Sequence, residues 1–520
     1  MSLNDLPEEV LLSIIDHFAQ TEKDLVTLCL VSQHLRYLTT PLLYQKLCCR
    51  DENLMDRRLV PLTLRSLVRD RKLGEFVRVL DISPRDSGFI GTLFNHEDKM
   101  LIQKAVTEIV EIGYSKQHYG FSVTPNLDKS KLCKHWWEDA CEGKCSAMIA
   151  IILFLCPGLR QIYYLWGYYY DHIPKDREDH YVEWFFRIVR HSQQATRDGM
   201  LRIEPPGSEA QSLKKMTPML RHLRHGKFAF RPTDREQGDW GNLELTMFLQ
   251  TPSAESLCLN GFIKPIQARP DFLMGLKSLT LEQCIFEASV LGNILQACVR
   301  LEYFSYSHGH PRTSFDKFDP LLMMDGLLCL SGSLRQLRLA RGIPYVLESN
   351  SARNSKLGSL TSFEVLTHLV LPVEFLVGMA ADADPRAPKL WKLVPKSLEY
   401  LLIGGLQEVM LNFAQKEVLE LVKRKQSIAP KLTRIILQNI DPIAAGSCAL
   451  SPLKRASREN EVWFSTDDGK WSEDNGIGLM LESMSGPHKK YNRQGYHPFP
   501  NSRWPTGRLF DQQVAQLTYR

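Results

Sequence analysis

One short phrase recurs through the middle of this chain and limits what it can become: an apolar residue, two free positions, a second apolar residue, one free position, and a third. Clear copies are Leu159, Ile162 and Tyr164; Leu276, Leu279 and Leu281, with Cys284 beyond; and Leu301, Phe304 and Tyr306. The series continues with Leu334, Leu337 and Leu339; Leu366, Leu369 and Leu371; Leu398, Leu401 and Ile403; and Leu432, Ile435 and Leu437. Weaker copies sit at Val77, Leu80 and Ile82 and at Leu257 and Leu259. From Phe304 onward the middle residues fall at nearly even intervals of a little over thirty residues. The alternation inside each phrase is that of a short strand with one buried face.

Several copies follow an apolar, helix-like stretch: Ala147 to Leu155, Val290 to Ala297, Leu321 to Leu330 and Val418 to Val422. A unit of helix, turn and strand cannot bury its apolar face alone, but stacked copies bury it jointly. The pattern therefore predicts an α/β solenoid over residues 76–440, with parallel strands inside and helices outside; an ordinary α/β domain is the alternative. Residues 111–145 and 165–215 fit no repeat. Their aromatic runs, Tyr163-Tyr164 with Tyr168-Tyr169-Tyr170 and Trp184-Phe185-Phe186, read as core for covers and caps rather than as recognition surface. Beyond residue 441 the phrase fails and Gly, Ser, Asn, Pro and Lys accumulate, so 441–520 is expected to be an irregular, partly disordered tail.

The first fifty residues follow another rule. Asn4 and Asp5 are helix-cap types, Pro7 suits a first helical turn, and Glu8 and Glu9 favour the positive end of a helix dipole. Val10, Leu11, Ile14, Ile15 and Phe18 then form an apolar stripe at helical spacing. A polar break from Thr21 to Asp24 opens a second helix carrying Leu25, Leu28 and Val31; Leu35 and Leu38 continue into a third, which Pro41 is expected to stop. Three short helices bury little apolar surface by themselves, so either they leave an apolar face for a docking partner or they are simply the beginning of the large domain; periodicity alone does not choose.

Composition narrows the class. The chain has 520 residues, 44% hydrophobic and 24% charged, and a net charge of only +5, which gives no reason to expect nucleic acid. Lys214-Lys215 and Lys423-Arg424-Lys425 read as solvated helix faces, with nuclear import as the sharper alternative. The start lacks the basic and apolar regions of a signal peptide, the apolar run Ala147 to Cys156 is half a membrane crossing, and no Asn-x-Ser/Thr acceptor occurs. Together with 12 scattered cysteines, these features lead us to expect a reducing compartment, cytoplasmic and/or nuclear, and no membrane partner. Cys133, His135, Cys141 and Cys145 are types that bind zinc, but no Cys-x-x-Cys pair is present and Trp136-Trp137 points to packing, so no metal is expected.

Motifs that fix catalytic chemistry are missing: no Gly-x-Ser-x-Gly elbow, no His-Glu-x-x-His helix, no phosphate loop and no Gly-x-Gly-x-x-Gly turn. No catalytic residue and no cofactor is expected, and Cys284 is explained by repeat packing.

The run Leu6-Pro7-Glu8-Glu9-Val10-Leu11-Leu12-Ser13-Ile14-Ile15 resembles the opening of an F-box. Leu25-x-x-Leu28-x-Leu30-Val31-Ser32 resembles its second helix, and Pro41-Leu42-Leu43-Tyr44 the closing segment usual in fungal members. The repeat phrases resemble the irregular leucine-rich repeats that follow F-boxes, although the Asn or Cys ladder position is mostly missing. As a whole the chain resembles a fungal F-box protein with a C-terminal leucine-rich-repeat-like domain. That resemblance implies an F-box over residues 1–50, a linker or first cap over 51–75, the repeat domain over 76–440, and the tail.

It further implies docking to a Skp-type adaptor, and through it to a cullin and a RING protein, with the repeats holding an unknown target protein for ubiquitination. By transfer, Leu6 and Pro7 would meet the adaptor, and Leu11, Ile14, Ile15, Leu28, Val31 and Ser32 would cross or support that interface. Glu282, Arg335, Arg338 and His368, between strand leucines, are candidate target contacts, with solvated strand positions as the blander reading. A non-proteolytic scaffolding role, or an enzyme with an unrecognised site in an α/β domain, are the rival functions.

Overall fold

The computed structural model describes residues 6–18, 22–49, 59–82, 94–115, 128–166, 181–182, 184–186, 188–189, 220–230, 251, 253–262, 273–308, 320–341, 357–372, 375, 389–404, 408–438 and 450–467. The chain divides into two compact units, Met1–Phe318 with Leu322–Leu334, and Asp319–Leu321 with Arg335–Arg520.

The first unit opens with three helices, α1 (Glu8–Phe18), α2 (Glu22–Val31) and α3 (Gln33–Tyr44). Leu11, Ile15, Leu35 and Leu38 form their buried centre, with Leu6, Leu25, Leu28 and Leu42 packed around it. Ser32 caps α3, its hydroxyl accepting from Leu35 N at 3.1 Å. Pro41 does not stop the third helix, as the sequence had led us to expect; α3 runs through it to Tyr44. The missing proline N–H would have bonded the carbonyl of Tyr37, so the helix loses one backbone hydrogen bond there without ending.

The repeats begin earlier than the sequence suggests. Strand β1 (Lys46–Cys49) leaves α3 directly and pairs in parallel with β2 (Val79–Ile82), placing Leu47 beside Leu80 and Cys49 beside Ile82. The segment expected to be a linker or first cap, 51–75, contains α4 (Leu59–Arg69) and most of α5 (Arg71–Phe76), and Val60, Leu64, Leu67 and Val68 are buried. Parallel strands β3 (Gln161–Trp166), β4 (His225–Phe230), β5 (Ser256–Asn260), β6 (Ser278–Cys284) and β7 (Tyr303–His308) follow, each paired with the one before. The apolar positions stack in columns, Leu257–Leu279–Phe304 and Leu259–Leu281–Tyr306, all buried. Each such side chain contributes about 1.5–3 kcal/mol on leaving water.

At the start of each strand one carbonyl accepts two successive N–H groups from the next repeat. Arg78 O accepts from Arg160 N and Gln161 N at 2.8 and 3.0 Å, and Arg160 O from Arg224 N and His225 N at 2.8 and 3.1 Å. Arg224 O does the same for Glu255 and Ser256.

Helices α6 (His96–Ser115), α7 (Lys129–Glu142) and α8 (Cys145–Leu155) lie between β2 and β3. Trp136 is fully buried, donates Nε1 to Ala147 O at 3.0 Å, stacks on Tyr181 and meets Trp184 edge-on. Trp184, Phe185 and Phe186 are buried as core, while Tyr168–Tyr170 lie outside the described residues. Helices α9 (Ala288–Ala297) and α10 (Pro320–Leu328) complete this part of the chain.

The second unit stacks β8 (Gln336–Arg341), β9 (His368–Pro372), β10 (Tyr400–Gly404), β11 (Arg434–Gln438) and β12 (Trp463–Asp467), again parallel and paired in order. Helices α11 (Glu408–Lys423), α12 (Lys425–Ile428) and α13 (Ser451–Glu459) accompany them. The repeats thus extend past residue 440 into the expected irregular tail. The register sets Ile435 beside Phe464 and Leu437 beside Thr466, so the β12 copy has a polar residue where its neighbour has leucine. Among the described residues no helix is long and apolar enough to cross a membrane.

Candidate functional site

The three-helix module presents more apolar surface than its core requires. In α1, Val10, Ile14 and Phe18 recur at helical spacing beside the buried stripe of Leu11 and Ile15. Val10 is exposed, Phe18 is 72% exposed, Ile14 is half-buried, and Pro7 just before the helix is exposed. In α2, Val26 and Leu30 are four residues apart and both exposed, Leu30 at 83%; Val31 lies open beside them in sequence at 65%. Leu12 in α1 and Tyr37 in α3 are exposed as well. Scattered single apolar residues on a surface need no explanation, but so many on about forty residues make this module the candidate for an interaction surface.

The candidate adaptor residues therefore separate into two groups. Pro7 and Val31 are exposed and Ile14 is partly so, which suits direct contact. Leu11 and Ile15 are buried in the module's core, and Leu6 and Leu28 are partly buried against it. Ser32 is occupied as the cap of α3. The exposed Val10, Leu12, Phe18, Val26, Leu30 and Tyr37 were not among the adaptor contacts expected from the sequence. The visible signal was the apolar positions lying one step off the core stripe, Val10–Ile14–Phe18 and Val26–Leu30.

The module is built onto the repeats: α3 packs against α5, and Gln45 O accepts from Arg78 N at 2.9 Å and Val79 N at 3.0 Å. The helical module is thereby joined to the first strands by both packing and hydrogen bonds.

In the second unit, the sheet face opposite the main core has a continuous row of rings and a guanidinium. His368 stacks on Tyr400 at 5.5 Å, and Arg434 lies 5.8 Å from the Tyr400 ring and 4.2 Å from that of Trp463, which is exposed. Tyr400, Leu402 and Ile436 form a buried apolar cluster on the same face, with Val370 against it. Burial lowers the pKa of the His368 imidazole, with Glu399 opposing. Of the candidate target contacts, Arg335 is exposed, whereas Glu282 is half-buried and accepts from Asn260 Nδ2 at 3.1 Å. Arg338, expected on the surface, is only 7% exposed, so its side chain is packed rather than presented.

The basic run Lys423-Arg424-Lys425 is not a uniformly solvated face: Arg424 lies 4.4 Å over the Trp391 ring, and buried Lys425 donates Nζ to Asn460 O at 2.8 Å. Lys214-Lys215 lie outside the described residues.

Four buried thiols are held in their protonated form. Burial pushes the Cys258 and Cys298 thiols up to about 12 and raises Cys156 and Cys284 as well, the reverse of what a nucleophile requires. Among the described residues no group of three His, Cys, Asp or Glu side chains is placed to hold a metal ion; Cys133 and Cys141 lie on α7 and Cys145 begins α8.

A family model described as F-box-like matches residues 3–50, the three helices and β1. A second, described as a leucine-rich repeat domain, matches residues 127–451, more than half of the chain. No curated protein matches the chain. The chain belongs to the leucine-rich repeat domain family and, with its F-box-like module, is an F-box protein of the ubiquitin-ligase adaptor type.

Proposed function

We propose that this protein is the substrate-recognition subunit of an SCF-type ubiquitin ligase, working in the cytoplasm and/or the nucleus. The exposed side chains Pro7, Val10, Phe18, Leu30 and Val31, with the half-buried Ile14, dock a Skp-type adaptor, which brings the cullin and the RING protein. The repeats bind a target protein, and the target's lysines come within reach of a ubiquitin-loaded conjugating enzyme. The chain itself does no chemistry in this scheme. It raises the effective concentration of one reactant at the other, and a rigid joint between anchor and binding surface is what makes that gain large.

The observation that supports this reading best is the apolar surface of a module whose own core is already complete. Leu11, Ile15, Leu35 and Leu38 close the interior, so Leu30 and Phe18 have no internal role and are left for a partner. Co-purification with adaptor and cullin, compared between the unaltered chain and variants of the exposed residues, tests the proposal. Capture of the adaptor without the cullin would favour a non-proteolytic scaffold.

A further inference from the structure

The residue immediately before each strand of the first unit stands at a fixed place on the sheet edge, because its carbonyl makes the paired bonds to the next repeat. In three successive repeats that residue is arginine: Arg78, Arg160 and Arg224. Neighbouring strands are about 4.8 Å apart, so the row covers about 9.6 Å between its ends. The Arg160 side chain is exposed and makes no hydrogen bond or ion pair. Arg224 approaches Glu255 only to 3.9 Å, and that glutamate is shared with Lys277 at 3.4 Å. A fourth arginine, Arg221, donates Nε to His222 Nε2 at 2.9 Å, which requires an unprotonated nitrogen there. In keeping with this, the His222 pKa is lowered by burial and by the charges of Arg221, Arg160, Arg78 and Arg224.

The row is not shaped to close on one small anion. Arg78 is tied at one end, Nη1 donating to Glu75 O at 2.7 Å and Gly158 O at 3.1 Å, while Arg224 is drawn towards Glu255 at the other. The three arginines therefore leave the backbone in a line with a step of one strand, and Arg160 stands in its middle with an exposed side chain. An α-helix presents side chains on one face at axial steps of about 4.5–6.0 Å for i to i+3 or i+4, and about 10.5 Å for i to i+7. An extended strand repeats on one face at about 6.6–6.8 Å, which drifts out of step by the third arginine.

We propose that the Arg78–Arg160–Arg224 row is a docking site for an α-helix of a partner protein, laid along the row with Asp or Glu at i, i+3 or i+4, and i+7. This rests on the receptor reading and gives its target a chemical class. Each carboxylate meets one guanidinium fork, and binding weakens as salt screens the row.

The test uses the full chain and three labelled peptides, followed by fluorescence anisotropy. One is a side-chain-stapled helix with three glutamates on one face; one is a stapled helix of equal composition with the glutamates spread around it; one is an unstructured peptide with a single phosphoserine. The one-face helix is expected to bind at least about tenfold more tightly than the other two, and Arg160→Glu to weaken it by about tenfold or more. Because the Arg160 side chain holds no other group, the variant is expected to melt like the unaltered chain. Equal affinity for the two helices, preference for the phosphoserine peptide, or unchanged binding by Arg160→Glu would overturn the proposal. The same preparations are tested for capture of the Skp-type adaptor. Failure of the unaltered chain to capture it would strike the receptor reading, whereas unchanged peptide binding by Arg160→Glu with capture intact would strike the arginine row alone.

Discussion

Val10 and Leu11 are neighbours in α1 but face opposite environments: Leu11 is 1% exposed at the centre of the three-helix module, and Val10 is 43% exposed on its surface. Leu11→Ala leaves a cavity among Ile15, Leu35 and Leu38 and should destabilise the module by about 2–4 kcal/mol. Val10→Ala should stay within about 0.5 kcal/mol of the unaltered chain. Protease susceptibility of residues 6–44 separates the two: rapid cleavage of the Leu11 variant alone is expected.

Asp98 holds the start of α6 by two routes. Its N–H donates to Asn95 Oδ1 at 2.8 Å and its Oδ2 accepts from Asn95 N at 3.1 Å, while Arg69 Nε reaches Oδ1 at 2.6 Å and Arg65 Nε reaches Oδ2 at 3.3 Å. The carboxylate is fully buried and the arginines are partly exposed, so its removal leaves cations that water can solvate. Asp98→Ala should cost about 1–3 kcal/mol, through the lost helix cap and the lost charge-assisted bonds. A urea midpoint no lower than that of the unaltered chain would contradict this.

Gly74 sits inside α5 where alanine would ordinarily stabilise a helix by about 0.5–1 kcal/mol. Here the sign should reverse, because an added Cβ runs into the backbone carbonyl of Leu155 at the end of α8. Backbone cannot yield as a flexible side chain can, so Gly74→Ala should destabilise by about 1–3 kcal/mol. A fall in thermal midpoint by calorimetry is the expected result.

His225, at the start of β4, is held neutral in the folded chain, with its pKa lowered to about 4 chiefly by burial; Arg224 and Lys277 add to this and Glu255 opposes it. The unfolded chain takes up this proton near pH 6.5, so the contribution to stability is complete above that pH and is lost as pH falls towards 4. At pH 5 the loss amounts to about 2 kcal/mol. His225→Asn should lose less stability than the unaltered chain between pH 7.5 and pH 5, measured by urea unfolding at both.

Much of the repeat architecture was legible, because leucine at three fixed positions reports a strand, its buried face and the turn before it. The ends were not. The phrase at β1 reads Tyr44, Leu47, Cys49, that at β4 reads Leu223, Gly226, Phe228, and that at β12 reads Glu461, Phe464, Thr466. A glycine or a threonine can occupy an inward position once neighbouring strands supply the apolar surface, and sequence spacing cannot see that neighbour. In the N-terminal module the apolar stripe identified the helices but did not separate core from surface. Leu11 and Phe18 look alike in sequence; only packing of α1 on α3 distinguishes them. The arginine row was invisible for the opposite reason: Arg78, Arg160 and Arg224 are far apart in sequence, and long insertions conceal that they hold the same position in three adjacent repeats.

The most direct measurement is capture of a Skp-type adaptor and its cullin by the full chain, beside a Phe18→Glu, Leu30→Glu variant. Both side chains lie on the surface, so the variant should keep the circular dichroism and melting of the unaltered chain. The unaltered chain should bring down both partners and the variant neither. A folded variant that captured as much adaptor as the unaltered chain, or an unaltered folded chain that captured none, would contradict the assignment of this surface as the ligase anchor.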